Sequence, residues 1–170
     1  MRLEVAKLEH LQSIKEMYRE IVADMKLKKL EIWDEVYPCE FLEEDIKKEQ
    51  LYILLEHEII VGAFALCATN QGSDSVEWET KTKSALYLDR LGVRVRCQGK
   101  GIGRELLVQA KEIARKQGAE YLRLFVVEEN IPALRLYQKN GFTKAKGIYQ
   151  EVVDESLTLY EYGYEIRTKK

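Results

Sequence analysis

Three alternating glycines flanked by cations lie near the middle of the chain, in the segment Gln98-Gly99-Lys100-Gly101-Ile102-Gly103-Arg104. Residues 84–95 before this segment read as a strand, and residues 102–117 after it repeat apolar side chains at helical spacing. The glycines therefore lie at a helix N-terminus, where unpaired backbone N–H groups and the positive end of the helix dipole favour an anion. Because glycine has no side chain, phosphate oxygens can approach the backbone closely, and the segment predicts a phosphate or pyrophosphate site.

The two common nucleotide-binding loops do not fit this spacing. A P-loop requires Ser or Thr directly after its lysine, but Lys100 is followed by Gly101. A dinucleotide fingerprint requires the spacing GxGxxG, whereas the glycines here stand at positions 99, 101 and 103. The phosphate-bearing ligand is therefore of another class.

The glycine segment resembles the Q/R-x-x-G-x-G/A signature of the GNAT superfamily of N-acetyltransferases. A second signature of that family, a helix followed by a Gly-Phe entry into the next strand, has a counterpart further on. The similarity in order and spacing of elements extends from about Tyr87 to Phe142, and residues before Tyr87 agree only in their coarse order of strands and helices. The second counterpart comprises Asn130, Ala133, Leu134, Tyr137, Asn140, Gly141 and Phe142.

The resemblance implies that the chain binds acetyl-CoA and transfers its acetyl group. The strand before the loop would splay from its neighbour at a bulge and hydrogen-bond the pantetheine arm through Leu91, Val93 and Val95, the last standing where the family often has proline. An N–H near Val93 would polarise the thioester carbonyl, Asn130 would contact the pantetheine arm, and Tyr137 would protonate the leaving thiolate. The pyrophosphate would bind backbone N–H groups of Gln98, Gly99, Lys100, Gly101, Ile102, Gly103 and Arg104.

The general base that deprotonates the amine is less clear from sequence. Asp89 shares strand parity with Leu91 and Val93 if no bulge intervenes, and we predict it as the base. Glu77, Glu79 and Glu35 are alternatives, and each of these carboxylates could equally be a solvated surface group. Tyr137 also has a second interpretation, because a tyrosine on an amphipathic helix commonly packs in the core.

Residues 31–38 mix carboxylates with aromatic side chains, a combination that attracts cations. The corresponding region lines the acceptor site in the resembled family, so we predict that Trp33, Glu35 and Tyr37 bind the acceptor. An ordinary helix–loop surface explains the same pattern equally well. Trp78 is either part of an acceptor lid or plain packing.

Two functional hypotheses from different classes follow from these residues. The first is an N-acetyltransferase that transfers the acetyl group directly, in a ternary complex, to a primary amine of a small molecule or peptide. The second is a non-catalytic acyl-CoA-binding sensor. Both need the glycine loop, but only the enzyme needs Tyr137, which favours the enzyme. A longer acyl-CoA is a third, more distant possibility.

Composition limits the classes of partner and the cellular location that we expect for this chain. The chain has 170 residues and a net charge of -2, which suits a single domain over residues 1–170 with no nucleic-acid partner. No stretch approaches the ~20 apolar residues that span a bilayer, and the N-terminus does not read as a signal peptide. Three widely spaced cysteines without a CxxC motif predict no metal site and a cytoplasmic location. The chain would be a monomer or homodimer.

The order of elements predicts an α/β fold. Strand-helix-strand units alternate with hairpins, which favours a mixed sheet. The resemblance specifies the GNAT fold, with a mostly antiparallel mixed sheet of about seven strands and about four helices on both faces. The predicted strands include 51–56, 59–68, 84–95, 121–127, 142–152 and 157–167, and the predicted helices include 8–27, 102–117 and 130–140, with a polar loop at 69–83.

Overall fold

A computed structural model describes residues 1–81 and 84–169. The helices are α1 (Leu11–Leu27), α2 (Leu42–Lys47), α3 (Ile102–Lys116) and α4 (Ile131–Lys139). The strands are β1 (Arg2–Val5), β2 (Leu51–Glu56), β3 (Ile59–Cys67), β4 (Val76–Glu77), β5 (Ala85–Val93), β6 (Tyr121–Val127), β7 (Thr143–Lys144), β8 (Lys146–Gly147), β9 (Tyr149–Val152) and β10 (Thr158–Arg167).

Strand pairing confirms the predicted fold class. Eight strands pair in the order β1-β2-β3-β5-β6-β10-β7, with β9 also on β10, and β4 pairs with β8 in a separate small sheet. The β5–β6 pairing is parallel, whereas the pairings of β1 with β2, β2 with β3, and β10 with β6, β7 and β9 are antiparallel. The sheet is therefore mixed and mostly antiparallel, with eight strands where about seven were predicted.

The chain forms two compact units, each built from two chain segments. Unit 1 comprises residues 1–66 and 90–109, and unit 2 comprises residues 67–89 and 110–170. Strand β5 and helix α3 each contribute residues to both units. The prediction of a single domain stays a prediction.

Unit 1 has its core between α1 and the first strands. The buried residues of α1 recur at the spacing that forms one helical face: Ile14, Met17, Tyr18, Ile21 and Val22. The first five residues of β2 are all buried, as in a strand covered on both faces. His57 and Glu58 join β2 to β3 with positive φ at both positions, which confirms the predicted tight hairpin.

Unit 2 is centred on β6 and β10, which pair over seven residues from Glu161–Val127 to Arg167–Tyr121. The predicted strand 142–152 is wrong in its continuity, because it is divided into β7, β8 and β9. Gly147, the last residue of β8, has a φ of 89°, a conformation that interrupts a regular ladder. The predicted loop 69–83 contains β4, and its residues 82 and 83 lie outside the described residues.

Candidate active site

The glycine loop of unit 1 adopts the backbone conformation that its sequence suggests. Gly99 has a φ of 73° and Gly101 a φ of 83°, values that side chains disfavour. A Cβ at either position would meet no heavy atom within 4 Å, so the space beside the backbone is open. Helix α3 begins directly after these residues, at Ile102.

Some backbone N–H groups of this loop donate hydrogen bonds within the protein, and others do not. Cys97 N–H donates to Arg94 O at 2.8 Å, and Gln98 N–H donates to Val95 O at 3.2 Å. From Gly99 to Arg104, no backbone N–H donates to an acceptor among the residues that the structure describes. Six consecutive donors at the positive end of α3 form an arrangement that can bind a phosphate anion.

The end of β5 has two distinct edges. Arg94 N–H donates to Val61 O of β3 at 2.9 Å. Successive residues of a strand direct their backbone groups to opposite edges, so Val93 faces away from β3. The Gln98 side chain confirms this direction, because its Nε2 donates to Val93 O at 3.2 Å. Leu91, two residues earlier, shares that edge, whereas Val95 lies beyond the strand in a 3-10 turn.

Arg90 interrupts the regular alternation of β5. Its φ is 55°, in the left-handed region, although it lies inside the strand. Side chains before and after such an irregularity no longer alternate as in an unbroken strand. The argument that Asp89 shares parity with Leu91 and Val93 therefore does not hold, and the role of Asp89 depends on its own surroundings.

The predicted acceptor residues lie in an aromatic row of unit 1. The Trp33 ring is 5.6 Å from the ring of Tyr18 and 6.3 Å from that of Tyr37, measured between centroids. Both Trp33 and Tyr37 are half-buried. Glu35 differs, because its side chain is 85% exposed and forms an ion pair with Lys26 at 3.1 Å. Such a surface pair contributes little, and Glu35 is directed to solvent.

Tyr137 of α4 is one of the buried tyrosines of unit 2. Only 7% of it is exposed, and its ring lies 5.8 Å from Phe142 and 6.5 Å from Tyr164, centroid to centroid. Burial raises the pKa of the Tyr137 hydroxyl well above its usual range, and the negative charge of Asp89 raises it further. The phenol therefore holds its proton at neutral pH, as a general acid must.

Asn130 caps α4. Its side-chain oxygen accepts a hydrogen bond from Ala133 N–H at 3.3 Å. This satisfies one of the donors that a helix N-terminus leaves unpaired. The contact between Asn130 and a pantetheine arm stays a prediction.

Three carboxylates lie on the face of the unit 2 sheet that also carries the Arg123–Glu165 ion pair. Tyr87 pairs with Arg123, so Asp89, two residues beyond Tyr87 and before the irregular Arg90, lies on the same face as Arg123. The register of β10 with β6 places Glu161 on that face, four pairs along the ladder from Arg123. The register of β10 with β9 adds Glu151, as a diagonal neighbour of Glu161.

Glu161 is the most perturbed member of this carboxylate face, which comprises Asp89, Glu151 and Glu161. Burial raises the pKa of the Glu161 carboxyl to about 9, with further contributions from Glu151 and then Asp89. Its Oε2 is buried and has no hydrogen-bond partner in residues 1–81 and 84–169. Asp89 is half-buried and accepts a hydrogen bond from Asn70 Nδ2 at 3.2 Å. Asp89 therefore acts electrostatically on both Tyr137 and Glu161.

Glu161 and Glu151 are not among the residues predicted from the sequence. A signal was present, because the tyrosines at 160, 162 and 164 share one side of the last strand and Glu161 must then lie on the other. Pairing with Glu151, however, depends on the β9–β10 register. The other proposed bases, Glu77 and Glu79, are exposed.

Trp78 packs within unit 2. Its ring lies 4.5 Å from the Arg123 guanidinium and 5.6 Å from the Phe125 centroid, and its Nε1 donates to Ser73 O at 3.0 Å. These contacts favour the packing interpretation over a mobile lid. In the described part of the chain, no three His, Cys, Asp or Glu residues are arranged to hold a metal ion, and no helix is long and apolar enough to cross a membrane.

Comparison with known proteins gives matches of several kinds. Residues 14–142 match the model of the acetyltransferase (GNAT) family. The chain is 35% identical over 65 residues to the spermine/spermidine N(1)-acetyltransferase of Bacillus subtilis, covering 38% of this chain and 43% of that protein. It is 47% identical over 45 residues to the streptothricin acetyltransferase of Streptomyces lavendulae, covering 26% of this chain and 24% of that protein. The chain thus matches less than half the length of these curated relatives.

Solved structures extend the similarity over the whole fold. The PaiA N-acetyltransferase of Thermoplasma acidophilum, solved in complex with coenzyme A, superposes with a TM-score of 0.68 at 22% identity, covering 98% of each chain. At this identity the likeness concerns the fold alone. The family match, by contrast, spans most of the chain and includes the glycine loop and Tyr137. The chain belongs to the acetyltransferase (GNAT) family.

Proposed function

We propose that this protein is an N-acetyltransferase that moves the acetyl group of acetyl-CoA onto a primary amine by direct transfer in a ternary complex. The observation that carries the proposal is the row of unused N–H donors from Gly99 to Arg104 at the start of α3, in a chain of the acetyltransferase family. The pyrophosphate of CoA has the charge and shape that such a row binds. Lys100 and Arg104 are exposed there and add positive charge.

The rest of the cofactor arm would bind the edge of β5 that faces away from β3. Leu91 and Val93 present backbone groups at that edge, and the Val93 N–H is the proposed donor to the thioester oxygen. A fixed N–H donor stabilises the negative charge that develops on this oxygen during attack. The Gln98 side chain, bound to Val93 O, holds the loop and the strand end together.

The transfer requires three proton movements. Asp89 would accept a proton from the ammonium group, and the neutral amine nitrogen would then attack the thioester carbonyl and form the new C–N bond as the C–S bond breaks and the thiolate leaves. Tyr137 would donate its phenolic proton to the thiolate and would regain a proton from the nitrogen of the new amide. The raised pKa of Tyr137 supports its assignment as the acid, because the phenol is neutral before the reaction.

The carboxylate face supports an acceptor that arrives with a positive charge. Free alkyl amines have a pKa of about 10, so they are mostly cationic at neutral pH. Asp89, Glu151 and Glu161 lie on one face, and the Oε2 of Glu161 has no hydrogen-bond partner among the described residues. An ammonium group would supply a donor to the Oε2 of Glu161 and a positive charge beside these carboxylates.

The proposal is tested by measuring thiol release from acetyl-CoA against a panel of amines, paired with calorimetric binding of acetyl-CoA. The panel includes polyamines, lysine derivatives, peptide N-termini and neutral amides as non-nucleophilic controls. We expect acetyl-CoA binding, and thiol release that depends on a cationic primary amine. Binding without release from any amine would contradict the enzyme and support the acyl-CoA sensor, and absence of binding would contradict both.

A further inference from the structure

Arg90 is a strained residue in the middle of β5. Five non-glycine residues have positive φ in the described chain: Lys29, Glu49, His57, Glu58 and Arg90. The first four lie in turns or directly after helices, where left-handed residues are common. Arg90 alone among them lies inside a strand, where its φ of 55° needs support from its surroundings.

The Arg90 side chain is held by a buried carboxylate. Its Nε donates to Asp45 Oδ2 at 2.7 Å and its terminal nitrogen donates to Asp45 Oδ1 at 2.8 Å. The two side chains are 8% and 4% exposed, so this bidentate pair lies in the core of unit 1. Gln50 Nε2 donates to Asp45 Oδ1 at 2.7 Å, and the guanidinium lies 5.4 Å from the Phe41 ring centroid.

The Arg90 backbone is held from the opposite direction by α1. The hydroxyl of Tyr18 donates to Arg90 O, and Tyr18 is fully buried. Burial raises the pKa of this hydroxyl, so it remains a protonated donor at any physiological pH. The Tyr18 ring also packs against Gly92, two residues after Arg90. A Cβ on Gly92 would come within 2.9 Å of Tyr18 Cε1.

A residue in this conformation changes which edge the following backbone groups face. An extra or left-handed residue in a strand shifts the alternation of everything after it. Leu91 and Val93 follow Arg90 directly, and the contacts of Arg94 and Gln98 show that Val93 faces away from β3. If Arg90 relaxed to ordinary extended backbone, the backbone N–H and C=O groups of Leu91 would face the other edge of β5.

We infer that Asp45 and Tyr18 are positioning residues for acetyl-CoA, because they clamp Arg90 in the left-handed conformation that aims the backbone of Leu91 and Val93. This inference rests on the proposed function. The clamp is one device with two contacts, a bidentate ion pair on the side chain and a hydroxyl on the carbonyl. It acts on the cofactor only through the backbone that it shapes.

Two double variants that differ by a single methyl group at position 90 test the clamp. Asp45→Ala/Arg90→Ala and Asp45→Ala/Arg90→Gly both remove the ion pair and leave no buried charge unpaired. Glycine adopts positive φ at no steric cost, whereas alanine does not. We expect the alanine version to raise the KM for acetyl-CoA about tenfold and the glycine version to stay within about threefold of the wild type. The KM for the amine should change in neither.

Two further measurements separate positioning from simple stability. Melting temperatures should fall similarly in the two double variants, and Tyr18→Phe should raise the KM for acetyl-CoA severalfold with little change in melting temperature. Glu49→Ala and Glu49→Gly are the control pair, since Glu49 is also left-handed but lies outside β5. Equal acetyl-CoA KM values in the two double variants would overturn the inference and leave the clamp a purely stabilising contact.

Amide hydrogen exchange distinguishes failure of this inference from failure of the proposed function. Exchange at Leu91 and Val93 without ligand should change in the alanine double variant and return toward the wild-type rate in the glycine one. If the wild type bound no acetyl-CoA, the proposed function would fail while this exchange pattern would still test the clamp. Unchanged exchange at both amides in the alanine variant would refute the clamp whatever the ligand.

Discussion

The two units supply different kinds of chemistry. The cofactor-binding residues proposed in unit 1 would act through backbone N–H groups, which do not titrate: the loop from Gly99 to Arg104 and the edge of β5 at Leu91 and Val93. Those of unit 2 work through titratable side chains, with the Tyr137 phenol and the Glu161 carboxyl both shifted in pKa by burial. The contrast implies that changes in unit 1 alter cofactor binding at every pH, whereas changes in unit 2 alter turnover and its pH dependence.

Unit 1 also shows two ways of reaching the same backbone conformation. Gly99 and Gly101 reach positive φ without a side chain, in open space where a ligand can approach. Arg90 reaches it with a long side chain, in a buried place where Asp45 holds that side chain. Glycine is needed where the ligand requires room, and a clamp suffices where the protein itself fills the space.

The largest expected effect is at the loop. Gly101→Glu places a carboxylate where the pyrophosphate is proposed to bind, so acetyl-CoA affinity should fall at least about 100-fold, measured by calorimetry. Gly118→Glu is the matched control, because Gly118 also has a φ of 83° and open space around its Cβ. It should bind acetyl-CoA as the wild type does. Equal losses in both variants would contradict the assigned pyrophosphate site.

The next effect concerns the acid of unit 2. Tyr137→Phe keeps the ring contacts with Phe142 and Tyr164 but removes the proton donor, so kcat should fall about 10- to 100-fold with acetyl-CoA affinity nearly unchanged. Tyr160→Phe, on an exposed tyrosine, is the control and should leave kcat unaltered. A wild-type kcat in Tyr137→Phe at all pH values would assign Tyr137 to core packing alone.

A smaller effect is expected at the predicted base. Asp89→Asn should lower kcat/KM about tenfold near pH 7, and the loss should shrink as pH rises, because more of the amine is then neutral in solution. Asp74→Asn provides an exposed carboxylate as control. A loss that is constant across pH would argue against proton acceptance by Asp89.

Glu161 should make the free energy of unfolding depend on pH. Burial raises the pKa of Glu161 in the folded protein to about 9, above its ordinary value of 4.5, so between these pH values the folded state binds a proton that the unfolded state does not. Its contribution to the free energy of unfolding is full below the lower value and is lost as pH rises towards 9, at a slope of at most about 1.4 kcal/mol per pH unit.

Glu161→Gln should therefore gain stability relative to the wild type as pH rises from 5 to 9, as measured by urea unfolding at several pH values. Glu155→Gln, in the exposed turn before β10, should track the wild type throughout. Parallel wild-type and Glu161→Gln curves across this range would show that Glu161 is not protonated in the folded protein.

The smallest effect is predicted at Glu35. Its exposed side chain pairs only with Lys26 among the contacts of the described residues, so Glu35→Gln should change the KM for the amine by less than about twofold. A large rise in the KM for the amine would contradict this prediction and show that a charged side chain of unit 1 takes part in acceptor binding.

Features that depend on residues close together in the sequence could be predicted, and features that depend on contacts between distant residues could not. The glycine loop and α3 depend on residues a few positions apart, and the structure has the loop and the helix as expected. Glu161 was missed because its significance depends on strand registers that bring Asp89 and Glu151 to the same face. The family resemblance implies a bulge in this strand, but its position at Arg90 was hidden, since the contacts that hold it come from Asp45 and Tyr18, far away in sequence.

The most direct test of the central claim follows an isotopically labelled acetyl group from acetyl-CoA in a mixture with a cationic primary amine. We predict that the label appears on the amine nitrogen, that free thiol is released in equal amount, and that no label remains on the protein after denaturation. Thiol release with the label retained on the protein would contradict direct transfer. Recovery of all the label in acetyl-CoA, with every amine tested, would contradict the proposed activity itself.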